Sequence, residues 1–418
     1  MATTLPATKR ISTEALPSDT AQTKDTVLRF IAWLDRYGET SWDHQSYFAS
    51  PVGRWAKATY YKRPRLGKLV VAPMILSEAL VPSARRLFWK RQRLPIADAH
   101  YAMGFAYLAA SSGEKKYYDR AVHFLDVLKE TRCRGYKNYS WGYPFDWETR
   151  HGTMPAETPL ITTVPYAYEA FWDVYQIDRR QEWWEILRSI AQHAHEDYHD
   201  FPTSPDASSC SYNPLPNEPG MVVNASAYRA ALLTQASIDF REEKYLSTAR
   251  RNLNFVLQSQ NPDGSWFYST EGERDFVDHF HTCFVLKGLA KIEALTGDRD
   301  VTQAIEKGVD YYVKNLFDQQ GMPKPFSRRP RLTVYRHELY DYAECINLAV
   351  LLRGRFPALD RILSGMRSLE GWQKNDGSFR ARQLLLGWDN TPMHRWAQSQ
   401  LFRSLCLLLL TESRSEKS

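Results

Sequence analysis

The chain has 418 residues, 43% hydrophobic and 24% charged, a balance that excludes the disordered and fibrous classes. The net charge of +6 is spread along the chain, and without a recognisable motif it argues against a nucleic-acid partner. The five cysteines are odd in number and form no CxxC pair. They point to a reducing, cytoplasmic setting and away from a zinc ribbon.

Residues 1–23 are rich in Thr, Ser and Ala with no apolar core, and read as a disordered tail rather than a signal peptide or anchor. Residues 24–92 read as an N-terminal helical segment, with a helix near 25–37 or 70–90. Arg85, Arg86, Lys90, Arg91 and Arg93 surround Phe88 and Trp89 in the densest basic run. A solvated helix face is the simpler reading of it; a peripheral contact with an anionic membrane is the other.

From about residue 93 to 412 two kinds of helix alternate. Segments starting at Lys115, Arg179, Glu243, Asp300 and Leu359 carry apolar residues three and four apart, with charges opposite, the pattern of amphipathic helices with one wet face. Segments starting near Ala97, Val164, Val222, Val277, Glu338 and His394 are richer in small and aromatic residues, as in helices buried on most sides. The buried helices recur at intervals of about 55–70 residues, a repeat of two helices and a loop. Short turns join each buried helix to its amphipathic partner. Long Gly, Pro and aromatic loops, roughly 132–163, 199–221, 259–276, 317–337 and 372–393, lead to the next buried helix. Loops of that length in a compact domain are usually functional. The alternation predicts an all-α (α/α)6 toroid: an inner ring, an outer ring completed by an N-terminal helix, and every long loop at one end. No strand series is expected beyond a small hairpin in 132–163. The Leu405–Leu410 run is too short to span a bilayer, and the sequons at Asn138 and Asn224 read as chance.

The alternation resembles the six-hairpin toroid superfamily. Within it, WGYPFDWETR, TPLITTVPYAYEAF, SYNP with VVNASAYRAALL, QNPDGSWFY, FVDHFHTCFVLKGL and HRWAQSQ resemble a bacterial family found with exopolysaccharide or capsule biosynthesis. The likeness spans about residues 95–410 and implies the fold and a polysaccharide setting.

Three motifs carry the candidate chemistry. The first long loop holds Trp141, Tyr143, Asp146, Trp147 and Arg150. A carboxylate among aromatic rings suits a general acid and the rings suit sugar faces; a Trp-anchored loop with an Asp146–Arg150 pair is the plain alternative. Asp278, His279 and His281 open the fourth inner helix, where Asp278 can cap and His281 can act as a base. His394, Arg395 and Trp396 open the sixth, where helix N-termini and a guanidinium favour an anion. Tyr212, Asn224, Tyr228, Asp341 and Glu344 are further cavity candidates. QNPDGSW and QKNDGSF resemble the Gln–Gly–Trp loops of terpene cyclases and read as structural, although Trp266 is also carried as a candidate sugar contact. His195, Glu196 and His199 match HExxH, but at a frayed helix end with no third ligand; neither metal nor cofactor is expected.

The expected function is acid–base chemistry on a glycosidic bond or uronic acid in polysaccharide biosynthesis. In hydrolysis Asp146 would lead, with Asp278 or Glu344 second. In elimination or epimerisation His281 or a Tyr would be the base and Arg395 would hold the carboxylate. The alternative is a non-catalytic glycan-binding or scaffold protein of a polysaccharide export complex. Asp146, His281 and Arg395 are expected to line one cavity.

Overall fold

The computed structural model describes residues 19–329, 333–366, 369 and 371–415; residues 1–18 of the expected tail lie outside them. Helix α1 (Asp19–Tyr37) begins inside the range read as tail. Thr20 there donates to Glu412 at 3.0 Å, a contact across the whole chain that local composition does not carry. A short α2 (Ser46–Ala49), a hairpin of α3 (Pro51–Lys62) and α4 (Pro64–Leu80), and a 3₁₀ turn at Pro82–Leu87 follow.

Inner and outer helices then alternate as the repeat predicts. They are α5 (Pro95–Ser112), α6 (Lys115–Glu130), α7 (Val164–Asp178), α8 (Gln181–Glu196), α9 (Val223–Phe240), α10 (Glu243–Gln258), α11 (His279–Thr296), α12 (Arg299–Asn315), α13 (Leu339–Leu351) and α14 (Pro357–Met366). A π-type turn at His394–Gln398 leads into α15 (Ser399–Ser415). The inner helices α5, α7, α9, α11, α13 and α15 pack in sequence, and α15 returns to α5. That closure needs Gly104 of α5, where a Cβ would meet the Phe402 ring at 2.5 Å. Helix α1 packs on α15, with Phe30 against Phe402 at 5.3 Å, and serves as the sixth outer helix. The fold is the (α/α)6 toroid.

The short turns end their inner helices on left-handed residues: Gly113, Arg179, Arg241 and Gly297. Such a cap satisfies the last carbonyls and reverses the chain within a few residues. The long loops gather at the opposite end, where the inner helices begin. Besides the expected hairpin of β1 (Trp147–Thr149) and β2 (Gly152–Met154), they carry strands not anticipated. The strands β3 (Asp200–Ser204) and β4 (Ala207–Cys210) form a hairpin, β5 (Val277–Asp278) pairs with β6 (Phe326–Arg328), and β7 (Tyr335–Glu338), β8 (Arg382–Leu384) and β9 (Trp388–Asp389) make a small sheet. Strands of two to five residues are too short to show an alternation in sequence. The hairpins stiffen single loops, while β5–β6 and β7–β8 tie consecutive loops together.

Candidate functional site at the mouth of the ring

The fourth inner helix supplies the site's most developed pair. Asp278 ends β5 with extended backbone and caps α11, accepting from the His281 backbone N–H at 3.0 Å. Its second oxygen meets His281 Nδ1 at 2.6 Å. The carboxylate is buried and the imidazole about one-fifth exposed. A carboxylate on Nδ1 fixes the tautomer and ring orientation and leaves Nε2 as the working nitrogen. Among the described residues, Nε2 has no hydrogen-bond partner.

Aromatic rings wall this imidazole. Tyr268 stands edge-on at 4.6 Å, Phe280 lies at 4.4 Å and Phe284 at 5.5 Å. The wall continues from Phe280 to Tyr340 at 5.0 Å, and Tyr340 stacks parallel on Trp396 at 5.7 Å. The Arg395 guanidinium lies over Trp396, 4.1 Å from its ring centre. Arg395 itself is buried and grips Asp43 with two bonds, Nε–Oδ2 at 2.8 Å and Nη2–Oδ1 at 2.7 Å. Its remaining Nη1 donates to the Tyr143 hydroxyl. Thus Arg395 is committed to Asp43 and holds Tyr143, which stacks on Phe145 at 5.2 Å. Asp43 lies in the N-terminal segment, 352 positions from Arg395. No local signal in the sequence marks it.

Beneath the wall lies a charged floor. Asp341, in the first turn of α13, is fully buried with neither carboxylate oxygen partnered. Burial first, then the nearby Glu338 and Asp278, push its pKa well above the usual carboxylate range. Glu338 takes Arg382 at 2.7 Å, and Arg382 also meets His44 at 2.9 Å. Deeper, Glu344 pairs with Lys287 and, at 3.4 Å, with Arg403. Burial overcomes the pull of Glu344 and lowers Lys287 to about 8. The Tyr166 and Tyr228 hydroxyls meet at 2.7 Å beside Lys287. Tyr166, Tyr228, Phe284 and Lys287 also border a cavity of about 300 Å³ between α7, α9 and α11. Asp173 in that cavity is raised to about 7, chiefly by burial.

The other expected residues are distributed as follows. Asp146 is two-fifths exposed, ion-paired with Arg54 and bonded to the Ala156 N–H at 3.0 Å. Arg150, the partner expected for it, reaches Glu271 and Glu273 instead. Trp147 packs under Lys57, whose ammonium sits 3.1 Å from its ring centre. Trp141 is buried and donates to the Leu128 carbonyl at 2.8 Å; Trp266 is buried and donates to that of Val256 at 2.9 Å. His279 bonds the Tyr312 hydroxyl at 2.6 Å and the Leu316 carbonyl at 3.2 Å. His394 lies between the Tyr101 hydroxyl and the Gly38 carbonyl. Burial lowers both imidazoles to about 3, so both are neutral. Tyr212 takes a bond from Thr162 at 3.3 Å, and Asn224 is buried with its amide unpartnered. His281 and Arg395 are therefore linked through Phe280 and Trp396, whereas Asp146 sits outside that wall on the hairpin side.

In HEDYH, His195 Nδ1 meets the Thr248 hydroxyl at 3.1 Å and His199 donates to the Pro214 carbonyl at 3.1 Å. Each imidazole thus has its own partner, on a different element. Among the described residues no group of three His, Cys, Asp or Glu is arranged to hold a metal.

No family model and no curated protein matches the chain. Solved structures do. A cellobiose 2-epimerase from Bacillus thermoamylovorans superposes with a TM-score of 0.60 at 10% identity, over 77% of this chain and 88% of its own. An unsaturated glucuronyl hydrolase specific for heparin gives 0.62 at 10% identity, over 95% and 98%. A polysaccharide lyase gives 0.57 at 10% identity, over 96% and 99%. At such identities the likeness carries the fold: this chain has the toroid that an epimerase, a hydrolase and a lyase also use.

Proposed function

We propose that the protein is a carbohydrate-active enzyme that moves a proton on a sugar at the mouth of the ring, with His281 as the base and Asp278 as its positioning residue. The carrying observation is the 2.6 Å contact that fixes Nδ1 and leaves Nε2 unpartnered within an aromatic wall. Rings of this kind present flat apolar faces to pyranose rings. Asp341, in the first turn of the next inner helix, is a second carboxyl beside this pair, buried with neither oxygen partnered. The arrangement favours epimerisation or elimination over hydrolysis. Hydrolysis calls for two carboxylates flanking the bond, and Asp146 and Asp278 are each engaged elsewhere. The likeness of the sequence motifs to a family found with exopolysaccharide biosynthesis supports a substrate from polysaccharide assembly.

The test is solvent exchange. Neutral and uronic-acid oligosaccharides are incubated with the protein in D2O and followed by NMR. Deuterium should enter one carbon of the substrate, and His281→Gln should abolish its entry. Hydrolysis without deuterium uptake, or uptake undiminished in His281→Gln, would overturn the assignment.

A further inference from the structure

The hairpin of α3 and α4 is the least covered part of the molecule. Twelve of the eighteen large apolar side chains exposed among the described residues fall between Val52 and Phe88. On α4 the exposed Leu66, Leu69, Pro73, Leu76 and Leu80 follow one another at intervals of three and four, which puts them on one stripe of the helix. Gly67, Val71 and Met74 form the opposite, buried side. Leu69 is 72% exposed, Leu80 62%, and Trp55 on the neighbouring α3 60%. A stripe this long and this wet is not needed to hold the hairpin together, and contiguous apolar patches of this kind mark interaction sites.

Charge identifies the occupant. Residues 51–91 contain ten Lys and Arg and a single acid, Glu78. Glu78 is committed to the buried Arg85 at 2.9 Å. Lys62, Arg63, Arg65 and Lys68 are all exposed at the junction of the two helices. A second copy of this face would bring like charges together. A lipid surface bearing negative headgroups matches both properties at once. Apolar side chains enter the acyl boundary, Trp and Tyr sit at headgroup level, and Lys and Arg meet the phosphates. No described helix is long and apolar enough to cross a membrane, so the geometry is that of a helix pair lying in the interface.

We infer that α3 and α4 form a docking element for an anionic phospholipid bilayer. The element adjoins the mouth: α3 packs on β1, Arg54 pairs with Asp146, and Lys57 covers Trp147. Docking would therefore bring the hairpin side of the mouth to the membrane surface. The inference stands whether or not His281 is catalytic, because it rests on a different face.

The test is co-sedimentation of the full chain with vesicles of phosphatidylcholine and phosphatidylglycerol, against phosphatidylcholine alone. Binding should require the anionic lipid and weaken with salt. The pairs Leu69→Glu with Leu76→Glu, and Lys62→Glu with Lys68→Glu, should each weaken it by about tenfold or more, with unchanged circular dichroism. As a second measurement, a polarity-sensitive dye is placed through Leu69→Cys. All five native thiols are buried, so labelling is selective, and the emission should shift to the blue on anionic vesicles and be quenched by brominated acyl chains. No binding to anionic vesicles, or binding indifferent to both variant pairs with no dye shift, overturns the inference. So does a lipid-free dimer that Leu69→Glu with Leu76→Glu dissociates, which would give the stripe to a second copy.

Discussion

Arg395 and Asp43, 352 positions apart, meet in a two-point ion pair with both side chains buried. The pair joins the N-terminal segment to the start of the last inner helix. It also fixes Tyr143, the aromatic residue that the guanidinium reaches with its third donor.

Removing one partner leaves a buried charge alone. Asp43→Ala is expected to cost about 3–5 kcal/mol of stability, read as a lower midpoint in urea. Asp43→Asn keeps an acceptor and should cost less. If Asp43→Ala unfolds at the wild-type midpoint, the pair does not anchor the segment.

Turnover should separate His281 from its positioning residue. His281→Gln is expected to lower kcat by about 100-fold or more on any sugar the wild type converts. Asp278→Asn preserves a good helix cap and should leave the melting temperature nearly unchanged. It should alter the pH profile and reduce kcat while KM holds. A profile identical to wild type in Asp278→Asn removes Asp278 from the mechanism.

Stability should report the proton on Asp341. Its folded pKa is raised, so its contribution is fully present below the unfolded value near 3.8 and is lost as pH rises through the folded value. Asp341→Asn removes that loss. The variant should gain melting temperature relative to wild type at pH 8, and the gain should shrink toward pH 4. A difference that is flat with pH would mean the carboxyl is ionised in the fold.

Trp266 should matter to the ring and not to sugar. Its indole fills the space above Gly308, where a Cβ would come within 2.6 Å of the ring. Trp266→Ala is expected to cost about 3–5 kcal/mol, while glycan affinity measured by calorimetry stays the same. A loss of affinity at unchanged stability would return Trp266 to the binding surface.

The HEDYH helix end should be metal-free in solution. His195 and His199 bond Thr248 and Pro214, partners on different elements, and the purified protein should carry no stoichiometric zinc. One zinc per chain by elemental analysis, lost on His195→Ala, would contradict this.

The toroid was legible because helix amphipathicity is local. The small-residue faces of α5 and α9 and the charged stripes of α6 and α12 can be read within a window of four turns. Val164 and the neighbourhoods of Val222, Val277 and Glu338 mark inner-helix starts for the same reason. The site was legible in part. Asp278 and His281 are three residues apart, so their contact follows from helix geometry. The partners of Asp146 and Arg395 are not local. Arg54 lies 92 positions from Asp146, and Asp43 is separated from Arg395 by almost the whole chain. Ion pairs choose partners in space, and spacing in sequence gives no hint of them. Some of the short strands at the mouth escaped notice for a related reason: β5 and β7 find their partners in the next long loop.

The contact between α1 and α15 bears on how the molecule is made. The ring closes only when its last helix meets its first, and α15 is translated about 360 residues after α1. At about 5–20 residues per second, α1 waits some tens of seconds for the helix that covers it. Throughout that interval the side of Phe30 that packs on Phe402 is uncovered, and the ring is an open arc. Linking the end of α15 to the start of α1 and reopening the chain within one of the short turns would place the two helices side by side in the order of synthesis, and the permuted protein should then fold with less help from chaperones.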